Sequence, residues 1–224
     1  MRWRDLLFAH WTADSALLRG LIPEGLELDL YNGSAYVGVV PFRMEGVTPR
    51  GVPASPILNA FPELNLRTYV KAGGKPGVWF FSLDAGQRLA VRVARRFFHL
   101  PHFDARFTIS NVGGGVEYSA LRIHRDAPNA AFVATYRELG AVYVSALGTL
   151  ESWLTERYCL YAVDSEGQLY RGEIDHEPWP LQEAAADVRV NTLGDWLGIE
   201  MKAQPKTLHF VKSLDVRAWL IDRI

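Results

Sequence analysis

The sequence predicts an α+β fold of mainly antiparallel strands, with a few helices at its periphery. Short runs of strand-forming residues recur along the chain, and turn residues such as Asn32-Gly33 separate them, as in β-hairpins. Few segments have the spacing of apolar residues that an amphipathic helix needs. No long linker, low-complexity tract or internal repeat divides the 224 residues. We therefore expect a single domain over residues 1–224.

Five segments are predicted as helices. The first is Ser15–Leu21, because Thr12-Ala-Asp14 can cap its start and Pro23 follows its end. Residues 85–98 have helical periodicity with three arginines on the polar side. The other three are shorter and cover residues 150–157, 178–186 and 192–197.

The strands are predicted from alternation and from apolar runs between turn residues. The predicted strands are 26–30, 35–42, 64–70, 78–83, 105–110, 116–123, 158–163, 168–174 and 208–220, the last as one strand or a pair. Residues 44–61 are rich in glycine and proline and are predicted as a long loop, a kind of segment that is often functional.

Composition narrows the classes of function. About half of the residues are apolar and the net charge is −1, so a sizeable core is expected. Nucleic-acid and membrane-surface partners usually require a basic excess, which this chain lacks. No apolar run is long enough to span a membrane, and the N-terminus has no apolar segment of a signal peptide. With Cys159 as its one cysteine, the chain is expected to be cytoplasmic.

Two stretches resemble acetoacetate decarboxylase. Residues 14–29, DSALLRGLIPEGLELD, are similar to a helix and hairpin near the N-terminus of that enzyme. Residues 89–103, LAVRVARRFFHLPHF, are similar to the helix that leads into its pair of lysines. The resemblance implies a β-barrel or sheet of the acetoacetate decarboxylase type around a small-molecule pocket.

Further segments, spread over nearly the whole chain, resemble the YqjF-like family, an uncharacterised group distantly related to the decarboxylase. The segments are ELNLRTYV at residues 63–70, GVWFFSLDA at 77–85, ESWLTERY at 151–158 and HEPWP at 176–180. Membership of a family does not by itself give a function.

The lysine pair of the decarboxylase corresponds to His102 and Phe103 in this sequence. One lysine of that pair forms a Schiff base, which neither imidazole nor a phenyl ring can do. The resemblance also places Arg4 near a site arginine and Glu63 near a site glutamate. It therefore implies a pocket in which Arg4 binds a carboxylate, His102 acts as a base and Glu63 polarises the ligand or acts as an acid.

Residues 63–70 support this site independently. In a strand, Glu63, Asn65, Arg67 and Tyr69 share one face, while the residues between them share the other. A row of four such groups is expected either as a polar pocket wall that binds the ligand or as a solvated outer face.

Three other features have alternatives. His176 and Trp179 are expected at the mouth of the pocket, or else as a loop anchored on the core. Histidines 99, 102, 124 and 176 do not have the spacing of a zinc motif, so no metal site is predicted. Lys212 shares a strand face with Phe210 and Leu214, so it is expected either as a buried amine that could replace the missing Schiff-base lysine or, more commonly for such a pattern, as a surface lysine.

Three functions thus fit the sequence. The first is a pocket for a carboxylate or carbonyl compound, with acid–base catalysis if the ligand is turned over. The second is a ligand-binding or sensing module without turnover. The third is a decarboxylase-like lyase that uses Lys212. No cofactor is expected, and a homodimer is expected from the apolar C-terminal strand and by analogy with relatives that assemble.

Overall fold

The computed structural model of the chain describes residues 1–48, 60–201 and 203–224. Its helices are α1 (Ser15–Leu21), α2 (Arg88–Phe97) and α3 (Leu150–Thr155), with a 3-10 turn at Asp195–Leu197. Its strands are β1 (Arg2–Ala13), β2 (Glu27–Leu28), β3 (Ala35–Glu45), β4 (Ala60–Ala72), β5 (Lys75–Ala85), β6 (His102–Val112), β7 (Gly115–Arg122), β8 (Ala131–Tyr143), β9 (Cys159–Val163), β10 (Leu169–Asp175), β11 (Leu181–Asn191), β12 (Thr207–Asp215) and β13 (Arg217–Arg223).

The strands form one large sheet that closes on itself. Starting from β5, the order is β5-β6-β7-β8-β11-β12-β1-β3-β4, and β4 pairs with β5 again. The ring is mainly antiparallel, with β5 and β6 as a parallel pair. Its closure is uneven, because β11 and β12 are paired only through Gln182 with Phe210 and Glu183 with His209.

The sheet branches at β5. The first part of this strand pairs with β9 through Val78 and Trp79, whereas the last part pairs with β6 through Leu83, Asp84 and Ala85. Strands β9, β10 and β13 therefore continue the sheet away from the ring.

The main core fills the interior of the ring. One cluster of buried apolar residues draws members from strands all around it, among them Leu7, Val39, Leu66, Phe132 and Phe210. Because successive side chains of a strand point to opposite faces, the alternate residues of β1, β3 and β4 lie outside the ring.

This outer side is also buried. Trp179 packs in a cluster with Phe8 and Val40, and Leu154 of α3 packs with Tyr69. Further along, Ala162 of β9 packs with Leu83. A second buried layer thus lies between the ring and the elements that cover its outer side, namely α3, β9 and the loop that contains Trp179. This layer contains the candidate site.

Local sequence explains the start of α1. The Asp14 carboxylate accepts a hydrogen bond from the backbone N–H of Leu17 at 2.8 Å, which satisfies one of the free donors of the first turn. The helix has the bounds that the sequence predicts.

Several predictions differ from the structure. Residues 178–186 are predicted as a helix, but residues 181–191 form β11, because pairing with β8 outweighs the helix propensity of its alanines. The helix predicted at 192–197 is reduced to a 3-10 turn, and the sequence does not predict β1 or β8. The predicted loop at 44–61 is strand at both ends, and its central residues 49–59 lie outside the described ranges.

Candidate functional site

The polar face of β4 is the centre of the candidate site. Its four residues, Glu63, Asn65, Arg67 and Tyr69, are 4%, 5%, 9% and 0% exposed. The intervening residues Leu64 and Leu66 belong to the core of the ring, so the predicted alternation holds. The burial of the polar residues excludes a solvated outer face and leaves a polar wall inside the second layer.

Glu63 and His102 meet at one end of this face. His102 is paired with Leu83, which is paired with Asn65, so register places His102 on the same side of the sheet as the polar face. Its Nε2 lies 3.5 Å from Oε2 of Glu63. Its Nδ1 is buried and has no hydrogen-bond partner among the described residues. A carboxylate beside Nε2 favours the proton on that nitrogen, which leaves the Nδ1 lone pair free to accept a proton.

Arg67 lies further along the same face. Its guanidinium carbon is 5.2 Å from the centre of the Phe8 ring and 5.7 Å from that of the Tyr69 ring. No carboxylate among the described residues forms an ion pair with it, and residues 49–59 and 202 contain no Asp or Glu. Its buried Nε has no hydrogen-bond partner in the described part of the chain. Charges of this kind are rarely buried without an opposite charge beside them.

His10 of β1 joins the same group. Its Nε2 lies 2.7 Å from the Tyr69 hydroxyl, and its Nδ1 lies 3.2 Å from Oγ1 of Thr207. Burial, together with the positive charge of Arg67, lowers the pKa of His10 well below its usual range, so the imidazole is neutral. Burial raises the pKa of Tyr69, which keeps the phenol protonated.

A glycine makes this contact geometrically feasible. Gly38 of β3 lies between His10 and Arg67 in the register of the sheet. A Cβ at Gly38 would lie 3.0 Å from the His10 ring and 3.3 Å from the Tyr69 hydroxyl. Any larger residue would therefore crowd the two partners.

Arg4 and Phe103 have other partners. Arg4 is half-exposed, and its Nη1 lies 3.5 Å from a Glu45 carboxylate oxygen. The Phe103 ring lies 4.1 Å from the Arg122 guanidinium, which donates two hydrogen bonds of 2.7 Å to Asp84. Alternation along β6 points Phe103 away from His102.

His176 and Trp179 pack against each other with ring centres 4.7 Å apart. Trp179 also meets the Phe8 ring edge-on at 4.8 Å, so Phe8 lies between it and the Arg67 guanidinium. His176 forms part of the wall of an open hollow of about 900 Å³ that also borders Arg2, Glu45 and Glu177. Trp179 thus anchors the loop on the outer layer, while His176 faces the surface hollow.

Lys212 is a surface lysine, so the alternative of a buried amine is wrong. Its side chain is 64% exposed, and its ammonium group lies 3.3 Å from the Asp5 carboxylate. The strand pattern fails here because β12 pairs with β11 only as far as Phe210, and Lys212 lies beyond that pair.

Sequence reasoning missed Phe8, His10 and Gly38. One signal was present, since His10 is a single polar residue within the apolar run of residues 6–11. A lone histidine in such a strand does not reveal its partner, which comes from a strand 59 residues away in sequence.

Two kinds of feature are absent from the described residues. No group of three His, Cys, Asp or Glu side chains there is arranged to hold a metal ion. Nor does any helix in those ranges combine the length and apolar character that crossing a bilayer requires.

Comparison with known families decides the relationship. The model of DUF2071, described as an uncharacterized conserved protein, matches residues 1–215. The chain belongs to the DUF2071 family. The uncharacterized protein YqjF of Bacillus subtilis (strain 168) is 46% identical over 217 residues, which cover 97% of this chain and 88% of YqjF. The resemblance to the YqjF-like family is therefore confirmed.

Solved structures confirm the fold. Acetoacetate decarboxylase from Legionella pneumophila matches with a TM-score of 0.63 and 14% identity, over 100% of this chain and 86% of that one. The enduracididine biosynthesis enzyme MppR, solved with pyruvate, matches with a TM-score of 0.67 and 12% identity, over 99% and 88% of the two chains. At such identities the DUF2071 chain shares the fold of these proteins, and their activities do not transfer with it.

Proposed function

We propose that this protein binds a small carboxylate at Arg67. The observation that supports the proposal is the buried guanidinium with aromatic neighbours and no carboxylate partner among the described residues. Removing a charge from water is unfavourable unless a counter-charge and hydrogen bonds replace the lost hydration. A ligand carboxylate supplies both, because guanidinium binds it through two parallel hydrogen bonds.

Pyruvate is the first probe for this site. MppR, which shares the fold, has been solved with pyruvate, and pyruvate carries the carboxylate and carbonyl groups that the sequence analysis predicts for the ligand. Pyruvamide has the same shape without the charge, so it tests whether the charge is recognised.

Calorimetric titration tests the proposal. We expect pyruvate to bind and pyruvamide to bind far more weakly. Arg67→Met should lower the affinity for pyruvate about 100-fold, because the charged hydrogen bonds are lost. Arg106→Met, which changes an exposed arginine of β6, is the matched control and should bind as the parent does.

Arg4→Met separates the two candidate arginines. If Arg4→Met loses the ligand while Arg67→Met keeps it, Arg4 binds the carboxylate as the family resemblance implies, and the proposal for Arg67 is wrong.

A second candidate function, acid–base catalysis, is favoured by the Glu63–His102 pair. The free Nδ1 of His102 is suited to remove a proton next to a carbonyl group, and Glu63 would stabilise the imidazolium that forms. Exchange of the pyruvate methyl protons in D2O, followed by proton NMR, measures such a step directly.

The exchange assay separates an enzyme from a binding module. If the site catalyses proton transfer, His102→Gln should slow exchange about 100-fold, whereas His124→Gln, a histidine beside Asp104, should not. If the parent protein binds pyruvate but exchanges it no faster than buffer does, the protein binds this ligand without catalysis.

The lyase that uses Lys212 is the weakest of the three functions. Lys212 is exposed and lies beside a carboxylate, so it lacks the desolvated pocket or the neighbouring cation that activates a lysine as a nucleophile. We expect no mass increase after borohydride treatment with pyruvate. An adduct that Lys212→Gln removes would restore Schiff-base chemistry to this protein.

Two expectations from the sequence stay predictions. Fractionation would check the cytoplasmic location, and sedimentation would check the homodimer.

A further inference from the structure

A chain of three polar side chains runs beside Arg67. The Tyr69 hydroxyl, the His10 imidazole and the Thr207 hydroxyl are connected by contacts of 2.7 Å and 3.2 Å. His10 and Tyr69 are fully buried, whereas Thr207 at the start of β12 is half-buried. These three side chains thus connect the polar face of β4 to the start of β12.

The hydrogen bonds among these three side chains can run in two directions, because a neutral imidazole carries a single N–H. In the first, Tyr69 donates to Nε2 and Nδ1 donates to Thr207, so the phenol and the imidazole each have an acceptor. In the second, Thr207 donates to Nδ1 and Nε2 donates to Tyr69, which leaves the phenol hydrogen without an acceptor among the three side chains. A buried donor without an acceptor is unfavourable, so the first direction is expected in the free protein.

We propose that a carboxylate bound at Arg67 reverses the direction of these hydrogen bonds, so that the Tyr69 hydroxyl donates a hydrogen bond to the ligand. This inference rests on the proposed function. Arg67 and Tyr69 are two residues apart on one strand face, and the guanidinium carbon is 5.7 Å from the phenol ring, so one anion can contact both. No proton is gained or lost, because the imidazole loses the proton on Nδ1 and gains one on Nε2, while both hydroxyl hydrogens reorient.

The surroundings of His10 keep it neutral in both directions. The Phe8 ring stacks against it at 6.0 Å. The charges that act on it are those of Arg67 on β4 and His209 on β12, and both oppose protonation. Arg157 lies on the Tyr69 side, where its pair with Asp29 at 2.6 Å partly compensates its charge.

Nitrogen-15 NMR of the histidine side chains tests the reversal directly. We expect the His10 proton on Nδ1 in the free protein and on Nε2 when pyruvate is bound. His124, which contacts Asp104, is an internal reference whose tautomer should not change. A merely structural hydrogen bond between His10 and Tyr69 would keep one tautomer in both states.

Affinity provides the second measurement. Tyr69→Phe should weaken pyruvate binding about tenfold, the effect of one hydrogen bond to a charged acceptor. Thr207→Val should weaken it less, and Thr207→Ser, which keeps the hydroxyl, should restore it. Tyr170→Phe removes a hydroxyl that bonds Asp164 at 3.0 Å and is the matched control.

Each outcome decides one question. If the parent protein binds no pyruvate, the proposed function fails for this ligand, and the reversal fails with it. If pyruvate binds while His10 keeps the same tautomer, or while Tyr69→Phe binds as the parent does, the reversal alone is wrong. A proton already on Nε2 in the free protein would also overturn it.

Discussion

The interior of the ring and the polar face of β4 are both buried, but they treat polar groups differently. In the interior, the Tyr118 hydroxyl donates to the backbone carbonyl of Glu63 at 2.8 Å and the Tyr136 hydroxyl to that of Asp5 at 2.9 Å. On the polar face, Asn65 Oδ1 and Arg67 Nε have no partner within the described ranges. Because native cores satisfy nearly all buried polar groups, two such atoms on one strand face support the proposal that this face receives a ligand.

Two arginines make the contrast sharpest. Arg122 forms a two-point ion pair with Asp84, and both side chains are almost fully buried. Arg67 is buried to nearly the same extent, with aromatic rings as its neighbours. Equal burial with unequal pairing predicts opposite responses to the same substitution.

The largest effect is expected from this arginine pair. Arg122→Met should lower the free energy of unfolding by about 3–5 kcal/mol, because Asp84 is left buried without its partner. Arg67→Met removes an unpaired buried charge, so the unfolding free energy should stay the same or rise by about 1 kcal/mol. Urea denaturation measures both. An equal loss in the two variants would show that Arg67 is compensated in the free protein, which contradicts the contrast.

A smaller effect is expected at Gly38. Gly38→Ala should lower the unfolding free energy by about 1–3 kcal/mol, because the added methyl group crowds His10 and Tyr69. Gly20→Ala is the matched control, since nothing lies within 4 Å of its added Cβ in α1. It should raise stability by about 0.5–1 kcal/mol. A Gly38→Ala variant as stable as the parent would mean that the contact over Gly38 contributes little.

The smallest effect is a difference in pH dependence. The pKa of His10 is lowered in the folded protein, so the unfolded chain binds more protons as the pH falls below about 6.5. The contribution of His10 to the free energy of unfolding is therefore complete above that pH. It is lost on acidification by at most about 1.4 kcal/mol per pH unit.

Denaturation at a series of pH values measures this slope. His10→Asn removes the titrating group, so its stability should fall less steeply between neutral and mildly acidic pH. His209 also has a pKa lowered by burial, so part of the slope should remain. Parallel curves for the parent and His10→Asn would show that His10 is not held neutral by its surroundings.

Local sequence predicts some elements well and others poorly. The bounds of α1 follow from the Asp14 cap and from Pro23, because capping and chain breaks act between neighbouring residues. Residues 181–191 are rich in alanine and read as helix, yet they form β11 because a partner strand far away in sequence fixes them. Local propensity is too weak to overcome such pairing.

The same limit applies to the site. Alternation identifies Glu63, Asn65, Arg67 and Tyr69 as one face, and the family resemblance singles out His102. Neither shows that Arg67 lacks an acidic partner while Arg4 lies beside Glu45, because ion pairs depend on which strands become neighbours.

The sequence by itself determined the strand-rich class and the period-two face of β4, since these depend on residue type and spacing. The correspondence of His102 and Phe103 to a lysine pair is implied by the family resemblance and stays a prediction. Only the tertiary structure decided that this face is buried under a second layer, and that His10 reaches Tyr69 over Gly38. The physical reason is that desolvation and unpaired charge belong to no single segment. They arise only when distant strands exclude water from the same space.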